Sequence, residues 1–86
     1  MPEISRFFGI VVRMFFDDHA PPHFHATYGG ASVTIDIESG SAVKGRLPPR
    51  ILGLIAEWTV LHRDELQRDW ELLRERRTPN RIAPLE

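Results

Sequence analysis

The fold is decided by two strand-like runs joined by a glycine pair, and this stretch reads HFHATYGGASVTIDIE from His23 to Glu38. Both glycines accept the positive φ angles that a two-residue hairpin loop requires. The second run alternates apolar and polar residues and so places three aliphatic side chains on one face, namely Val33, Ile35 and Ile37. The stretch predicts an antiparallel hairpin with one buried face and one polar face.

The two-residue loop also predicts how the two strands are paired, since loop length determines the register of a hairpin. Counting outward from the glycines, Phe24 lies opposite Ile35 on the buried face. On the polar face His23 lies opposite Asp36, and His25 shares this face because side chains two residues apart in a strand point the same way. The register therefore brings two histidines and a carboxylate together.

The residues before the hairpin predict one further strand. Residues 10–16 are rich in β-branched and aromatic side chains and carry few polar groups, so we expect a strand that is central or covered on both faces. Residues 4–9 read as an extended lead-in. Residues 17–22 form a connection, and its segment Ala20-Pro21-Pro22 is predicted to be a stiff, extended arm because proline restricts its own backbone and that of the preceding residue.

The residues after the hairpin predict a short strand and then helix. Ala42 to Leu47 reads as a short fourth strand, and Pro48-Pro49 opens a helix, since proline is tolerated in the first helical turn. Apolar residues then recur at helical spacing, at Ile51, Leu54, Ile55, Trp58, Leu61, Leu66, Trp70 and Leu73. The pattern fits one long helix or two helices with a break near His62, and Thr78-Pro79 ends the helical part.

We therefore expect a single α+β domain over residues 1–86, with a sheet at about 4–47, a helical part at about 48–77 and a tail at 78–86. A small antiparallel sheet of three or four strands is packed by the C-terminal helix or helix pair. The predicted core consists of Phe24, Val33, Ile35, Ile37, Ile51, Leu54, Ile55, Trp58, Leu66 and Trp70. This much apolar surface in a small domain also suggests a homodimer.

Composition narrows the classes of function. The chain has 86 residues, 42% of them hydrophobic and 27% charged, and a net charge of -1, which is typical of a soluble globular domain and gives no global attraction to nucleic acid or to an anionic membrane. The absence of cysteine excludes disulfides, iron–sulfur clusters and cysteine nucleophiles. With no apolar run of transmembrane length and no signal-like start, we expect a cytoplasmic protein without a membrane partner.

Three of the four histidines fall in the stretch DDHAPPHFH from Asp17 to His25, where two carboxylates precede them. Histidine is suited to both proton transfer and metal ligation near neutral pH. One interpretation is a metal site in which His19, His23 and His25 bind zinc or another divalent metal, with or without an aspartate as a further ligand. It requires that the proline arm folds His19 back toward the strand.

Two other interpretations stay open. In the first, His23, His25 and Asp36 are catalytic residues of a metal-free acid–base site, which is able to cleave RNA if arginines hold the phosphate. In the second, the histidines only form hydrogen bonds within a polar sheet face, as paired residues often do. The Gly29-Gly30 pair is not a phosphate-binding loop, because no helix follows it.

Several motifs resemble a small bacterial family known as domain of unknown function 4160. They are ISRFFGI at Ile4–Ile10, DHAPPHFH at Asp18–His25, IDI at Ile35–Ile37, LPPR at Leu47–Arg50, and Glu57-Trp58 followed by Leu61-His62. The resemblance covers nearly the whole chain. It implies a component of a toxin–antitoxin-like two-gene module that binds a small protein partner encoded nearby. It implies no catalytic residues, so a histidine-dependent enzyme, RNase-like or a metal-dependent hydrolase, is the alternative function.

Overall fold

The computed structural model describes residues 2–16 and 18–86, and these form a five-stranded antiparallel sheet followed by two helices. The sheet order follows the chain, β1-β2-β3-β4-β5. The elements are β1 (Glu3–Phe7), β2 (Ile10–Arg13), β3 (His23–Tyr28), β4 (Ala31–Asp36), β5 (Ala42–Gly45), α1 (Pro49–Leu61) and α2 (Arg63–Arg74). The α+β class is confirmed, with one strand more than the three or four that were predicted.

The additional strand is β1, which the sequence presents only as an extended lead-in. It pairs antiparallel with β2, with Phe7 opposite Ile10. The tight turn between the two strands is made by Phe8 and Gly9, whose φ angles are 49° and 80°. Pairing with β2 turns the lead-in into a strand because it satisfies backbone groups that an unpaired segment would leave without partners.

The predicted hairpin register is confirmed residue by residue from Tyr28 opposite Ala31 to His23 opposite Asp36. Gly29 adopts a positive φ of 61° in the loop, a conformation that glycine accepts without strain. Phe24 and Ile35 are fully buried, as expected. The opposite face of this hairpin is exposed or half-buried and therefore carries the polar side chains.

Strand β2 is central, as predicted, but it ends at Arg13 and does not reach Phe16. Its residues alternate between buried and half-buried, so only one face lies in the core. Val11 and Arg13 lie on the more open face. Of the two alternatives, the structure shows the central strand and not the strand covered on both faces, because the helices pack against one side of the sheet only.

The helical part consists of two helices with a break at His62, one of the two alternatives that the sequence left open. Pro48 caps α1 and Pro49 begins it. His62 leaves helical geometry with φ -121° and ψ 23°, and its Nδ1 lies 2.6 Å from a carboxylate oxygen of Glu65 in the first turn of α2. The end of α1 and the acidic first turn of α2 therefore meet at His62, which contacts the second helix through Glu65.

The core lies between the helices and one face of the sheet. Nine of the ten predicted core residues are buried there, while Leu54 is partly buried at its edge. The tail completes the core: Ile82 and Leu85 are buried, and the Trp58 indole donates a hydrogen bond of 2.8 Å to the Ala83 carbonyl. Among the helices described, none is long and apolar enough to cross a membrane.

Candidate metal centre

Three ligand atoms meet at the start of β3, one from the preceding loop and two from the strand. Oδ2 of Asp18 lies 3.2 Å from Nε2 of His23 and 3.0 Å from Nε2 of His25. One ligand atom from each of the three residues lies within 4.8 Å of the other two. All three side chains are half-buried, so the group is held by the fold and remains accessible from solvent.

The strand and the loop each make a separate contribution to this arrangement. His23 and His25 project from one face of β3 because they are two residues apart, while Phe24 between them points into the core. The loop is attached to the sheet at Pro22, whose carbonyl accepts a hydrogen bond of 3.1 Å from the Ile37 backbone N–H. The Ala20–Pro21 peptide is cis.

The hydrogen bonding of His23 defines which ring nitrogen carries its proton. Nδ1 lies 2.8 Å from the carbonyl oxygen of Pro21, and since a carbonyl only accepts, Nδ1–H is the donor. In the neutral ring Nε2 then has a lone pair, and this lone pair faces the Asp18 carboxylate. Two acceptors face each other favourably only if a cation lies between them, either a proton or a metal ion.

His25 is held by two further neighbours. Its Nδ1 lies 3.4 Å from the hydroxyl oxygen of Thr34, the residue opposite it in β4, and its ring makes an edge contact of 4.6 Å with Phe15. His23 in turn contacts the buried ring of Trp70 in α2 at 5.2 Å. Both imidazoles therefore have restricted orientations, which reduces the entropy cost of binding a ligand.

These contacts match those of a mononuclear metal site. Zinc ligands lie about 2.0–2.2 Å from the ion, so neighbouring ligand atoms are about 2.8–3.6 Å apart in tetrahedral or octahedral geometry. Both Asp18 distances fall in this range. Metal-binding histidines commonly donate their second N–H to a backbone carbonyl, as His23 does to Pro21. Two histidines and one carboxylate also form a known ligand set for divalent transition metals.

The structure brings together two of the predicted metal ligands, His23 and His25, but not the third. His19 is exposed and lies outside the group of three. The third ligand atom comes from Asp18, which directly precedes His19 in the sequence. The condition that the metal interpretation set, that His19 folds back toward the strand, is not met, and the loop contributes the Asp18 carboxylate to the group instead. The other carboxylate of this stretch, Asp17, lies outside the described residues.

The predicted catalytic partner Asp36 is opposite His23 in the register but does not pair with it. Its carboxylate instead accepts a hydrogen bond of 2.8 Å from the Ser39 backbone N–H and so stabilises the turn after β4. Both nitrogens of His23 already have partners, Pro21 and Asp18. The carboxylate of the histidine cluster is thus Asp18. Asp18 was not singled out from the sequence, and the one signal that could have indicated it is its position just before the His19–His25 stretch.

A second buried carboxyl lies away from this cluster, on α2. Asp69 is almost completely buried, and burial raises its pKa, although the hydrogen bond from the Asn80 backbone N–H opposes this shift. That bond, 2.8 Å long, attaches the start of the tail to α2. Asp69 therefore has a structural role in docking the tail.

Comparison with known proteins gives one result. No significant match was found among curated proteins or among solved structures. The family model described as Domain of unknown function (DUF4160) matches residues 9–71, which include β2 to β5, α1, most of α2 and all three residues of the histidine cluster. Because this match spans well over half of the 86 residues, the chain belongs to the DUF4160 family.

Proposed function

We propose that the protein is a metal-dependent hydrolase whose divalent metal ion is held by Asp18, His23 and His25. The observation that carries this proposal is the convergence of one carboxylate oxygen and two imidazole nitrogens, 3.0 and 3.2 Å apart. Because Nδ1–H of His23 is directed to the Pro21 carbonyl, Nε2 is the ring nitrogen that faces Asp18 and can bind a metal with it. This function is the second of the two classes that the sequence suggested.

Three protein ligands leave coordination positions for water and substrate. A zinc ion in such a site lowers the pKa of its bound water to about 7 and polarises an ester or phosphoryl oxygen. The protein contributes the orientation of the three ligands: β3 holds both imidazoles, and the proline loop places the carboxylate. Each side chain is only partly exposed, so the ligands stay in position when the substrate approaches.

Zinc is the first candidate ion, and other divalent transition metals are the alternatives. A set of two imidazoles and one carboxylate occurs in catalytic zinc sites and in non-haem iron sites. Metal content should therefore be measured for zinc, iron, manganese, cobalt and nickel together, in protein made without a His-tag.

Elemental analysis and calorimetric titration test the metal site directly. Wild-type protein is expected to bind about one zinc ion per chain, and His23→Ala is expected to bind none at the same concentration. His19→Ala is the matched control, because it removes an exposed histidine of the same stretch that lies outside the cluster. Equal loss in both variants, or wild-type protein without affinity for any of these metals, contradicts the proposal.

Hydrolysis is tested with chromogenic esters before and after removal of metal by a chelator. Activity that is lost with the metal, restored by zinc and absent in His25→Ala supports the proposed function. Activity that persists without metal indicates instead the acid–base alternative, in which His23 and His25 transfer protons unaided.

We retain a second candidate, a partner-binding component of a two-gene module. It is favoured by Val60 and Leu61, adjacent residues at the end of α1 whose relative exposures are 60% and 64%. Exposed aliphatic side chains in sequence are typical of surfaces that bind other proteins. Co-expression with the product of the neighbouring gene, followed by co-purification of wild type and of Leu61→Ser, tests this role.

A further inference from the structure

A groove of about 290 Å³ lies on the sheet directly beside the histidine cluster. Its walls are formed by His25, Ser32, Val33, Thr34, Lys44 and Gly45. One wall residue, His25, is also a proposed metal ligand, so a molecule in the groove is next to the ion. The other polar groups are two hydroxyls and one ammonium, and among the residues that the structure describes no carboxylate lines the groove.

The strand register explains why a cation lies so close to the cluster. Thr34 of β4 is opposite His25 on one side and opposite Lys44 of β5 on the other. Lys44 is exposed and takes part in none of the salt bridges found among residues 2–16 and 18–86. On the far side of His25 the register places a second cation, Arg13 of β2. The row across the sheet therefore places one cation on each side of His25, with Glu3 of β1 beyond Arg13 at the far end.

We propose that the substrate of this hydrolase is a phosphodiester, whose charged phosphate oxygens lie in the groove against Lys44 and Thr34. The proposal rests on the proposed function, because the phosphorus atom must lie beside the ion held by Asp18, His23 and His25. Lysine and hydroxyl donors are suited to phosphate oxygens. The hydroxyl of Thr34 has a further role: when Nε2 of His25 binds a metal, Nδ1–H donates to the Thr34 oxygen, which leaves the Thr34 O–H free to donate to phosphate.

The shape of the groove favours a diester over a monoester. The groove is partly open along the sheet, so both ester groups of a diester can extend from it, whereas a monoester has only one such group. The groove is also smaller than the pockets of about 300–1,000 Å³ that enclose drug-sized ligands. It thus accommodates the phosphate and its nearest atoms, while both ester groups extend along the sheet.

The opposite side of the cluster does not offer the same environment. A second groove, next to Trp70, is lined by Pro22, Gln67, Trp70, Glu71, Arg74 and Glu75. Its two glutamates repel a phosphate and offset the charge of Arg74. The anionic part of the substrate is therefore assigned to the groove that contains Lys44.

The reaction is an ordinary hydrolysis. The oxygen of a water molecule bonds to phosphorus, the bond from phosphorus to one ester oxygen breaks, and its electron pair stays on the departing oxygen. One proton of the water moves to that oxygen to give an alcohol, and the other stays on the phosphate product. No oxidant, reductant or second substrate is required.

Steady-state kinetics of the zinc-loaded full chain test the proposal. The probes are bis(p-nitrophenyl) phosphate as diester, p-nitrophenyl phosphate as monoester and p-nitrophenyl acetate as uncharged ester. Lys44→Gln is expected to lower kcat/KM for the diester by about ten- to a hundredfold, as expected for loss of a hydrogen bond to a charged group. It should change neither zinc stoichiometry nor hydrolysis of the acetate, and Lys44→Arg should restore much of the activity.

Arg50→Gln is the matched control, because it removes one positive charge at a different pocket, beside Phe8 and Tyr28. The phosphodiester proposal is overturned if Lys44→Gln and Arg50→Gln behave alike, or if only the acetate is hydrolysed. In the second case zinc-dependent ester hydrolysis remains, so the proposed function survives. If zinc does not bind at all, the proposed function itself fails.

Binding provides a readout that does not depend on catalysis. Titration of ¹⁵N-labelled zinc-loaded protein with dimethyl phosphate should shift the amide signals of Ser32, Thr34 and Lys44, and titration with sodium chloride at equal ionic strength should not. Unchanged amide signals overturn the proposal. A single-stranded RNA oligonucleotide and glycerophosphocholine, used as competing substrates, then distinguish a nucleic-acid diester from a lipid-derived one.

Discussion

The carboxylate of Asp18 lies 3.0 Å from Nε2 of His25, although the two residues are seven positions apart and two prolines stand between them. The same oxygen lies 3.2 Å from His23. A single carboxylate oxygen facing two imidazole nitrogens concentrates three potential ligand atoms in one place. The proposed metal centre and the proposed substrate groove both depend on this contact.

Replacing each of the two candidate carboxylates by the corresponding amide tests their roles directly. Asp18→Asn should weaken zinc binding by more than about 100-fold, since loss even of an outer-shell partner costs about 10–100-fold. Asp36→Asn should bind zinc like wild type, because Asp36 holds the Ser39 N–H of a turn and not a histidine. Calorimetric titration measures both. Weaker binding in Asp36→Asn alone would make Asp36 and not Asp18 the carboxylate ligand, and would contradict the proposed metal centre.

Gly45 is expected to be sensitive to substitution because its backbone has a φ of 87° and a Cβ there meets the backbone carbonyl of Ser32. Gly45→Ala should lower the free energy of unfolding by about 2 kcal/mol or more, since alanine is strained at positive φ and β4 blocks its methyl group. Gly53→Ala is the control in an open helical position, where it should raise stability by about 0.5–1 kcal/mol. Urea unfolding measures the free energy of unfolding of both variants and of wild type. Equal effects contradict this account.

The tail should depend on the indole of Trp58. Trp58→Phe removes the donor to the Ala83 carbonyl and part of a buried ring, and we expect a loss of about 1–3 kcal/mol. The amide of Ile82, which donates to Ile4, should then exchange faster with solvent. Amides of the β3–β4 hairpin serve as the internal control in hydrogen exchange. A uniform change in all amides indicates global destabilisation and not release of the tail.

Acid should weaken the link between β1 and the tail. Hydrogen bonds from Arg6 and Arg81 lower the pKa of Glu3 from 4.5 to about 2. Because the pKa is lower in the folded state, the ionised carboxylate stabilises the protein above pH 4.5, and this contribution is lost as the pH falls toward 2. Glu3→Gln should show a shallower loss of stability over this range.

Unfolding free energies at several pH values measure this difference, and wild type and Glu3→Gln should converge at the acid end. The difference should also shrink in 1 M salt, where the Debye screening length is about 3 Å. Salt screens these ion pairs because they are partly exposed. If the unfolding free energies of the two proteins change with pH in parallel at low salt, the assigned role of Glu3 is contradicted.

Much of the sheet follows from the sequence alone. The alternation of Val33, Ile35 and Ile37 and the glycine pair at 29–30 are local signals, and together they predict the register that the structure shows. The start of α1 at Pro49 was likewise predicted. The break near His62 was one of the two alternatives that the sequence left open. Strand β1 was missed as a strand, since Ile4 to Gly9 lacks strict alternation and becomes a strand only through its partner β2.

In the histidine cluster, too, some features follow from the sequence and others only from the tertiary structure. The sequence by itself determined that His23 and His25 share a face of β3, because side-chain direction in a strand repeats every two residues. Only the tertiary structure decided that their carboxylate is Asp18 and not Asp36, and that His19 stays exposed. The physical reason is that a proline-containing loop has no periodicity from which side-chain direction follows. Its path depends on anchors such as the hydrogen bond from the Ile37 N–H to the Pro22 carbonyl, and Ile37 lies just after β4, beyond the whole hairpin in sequence.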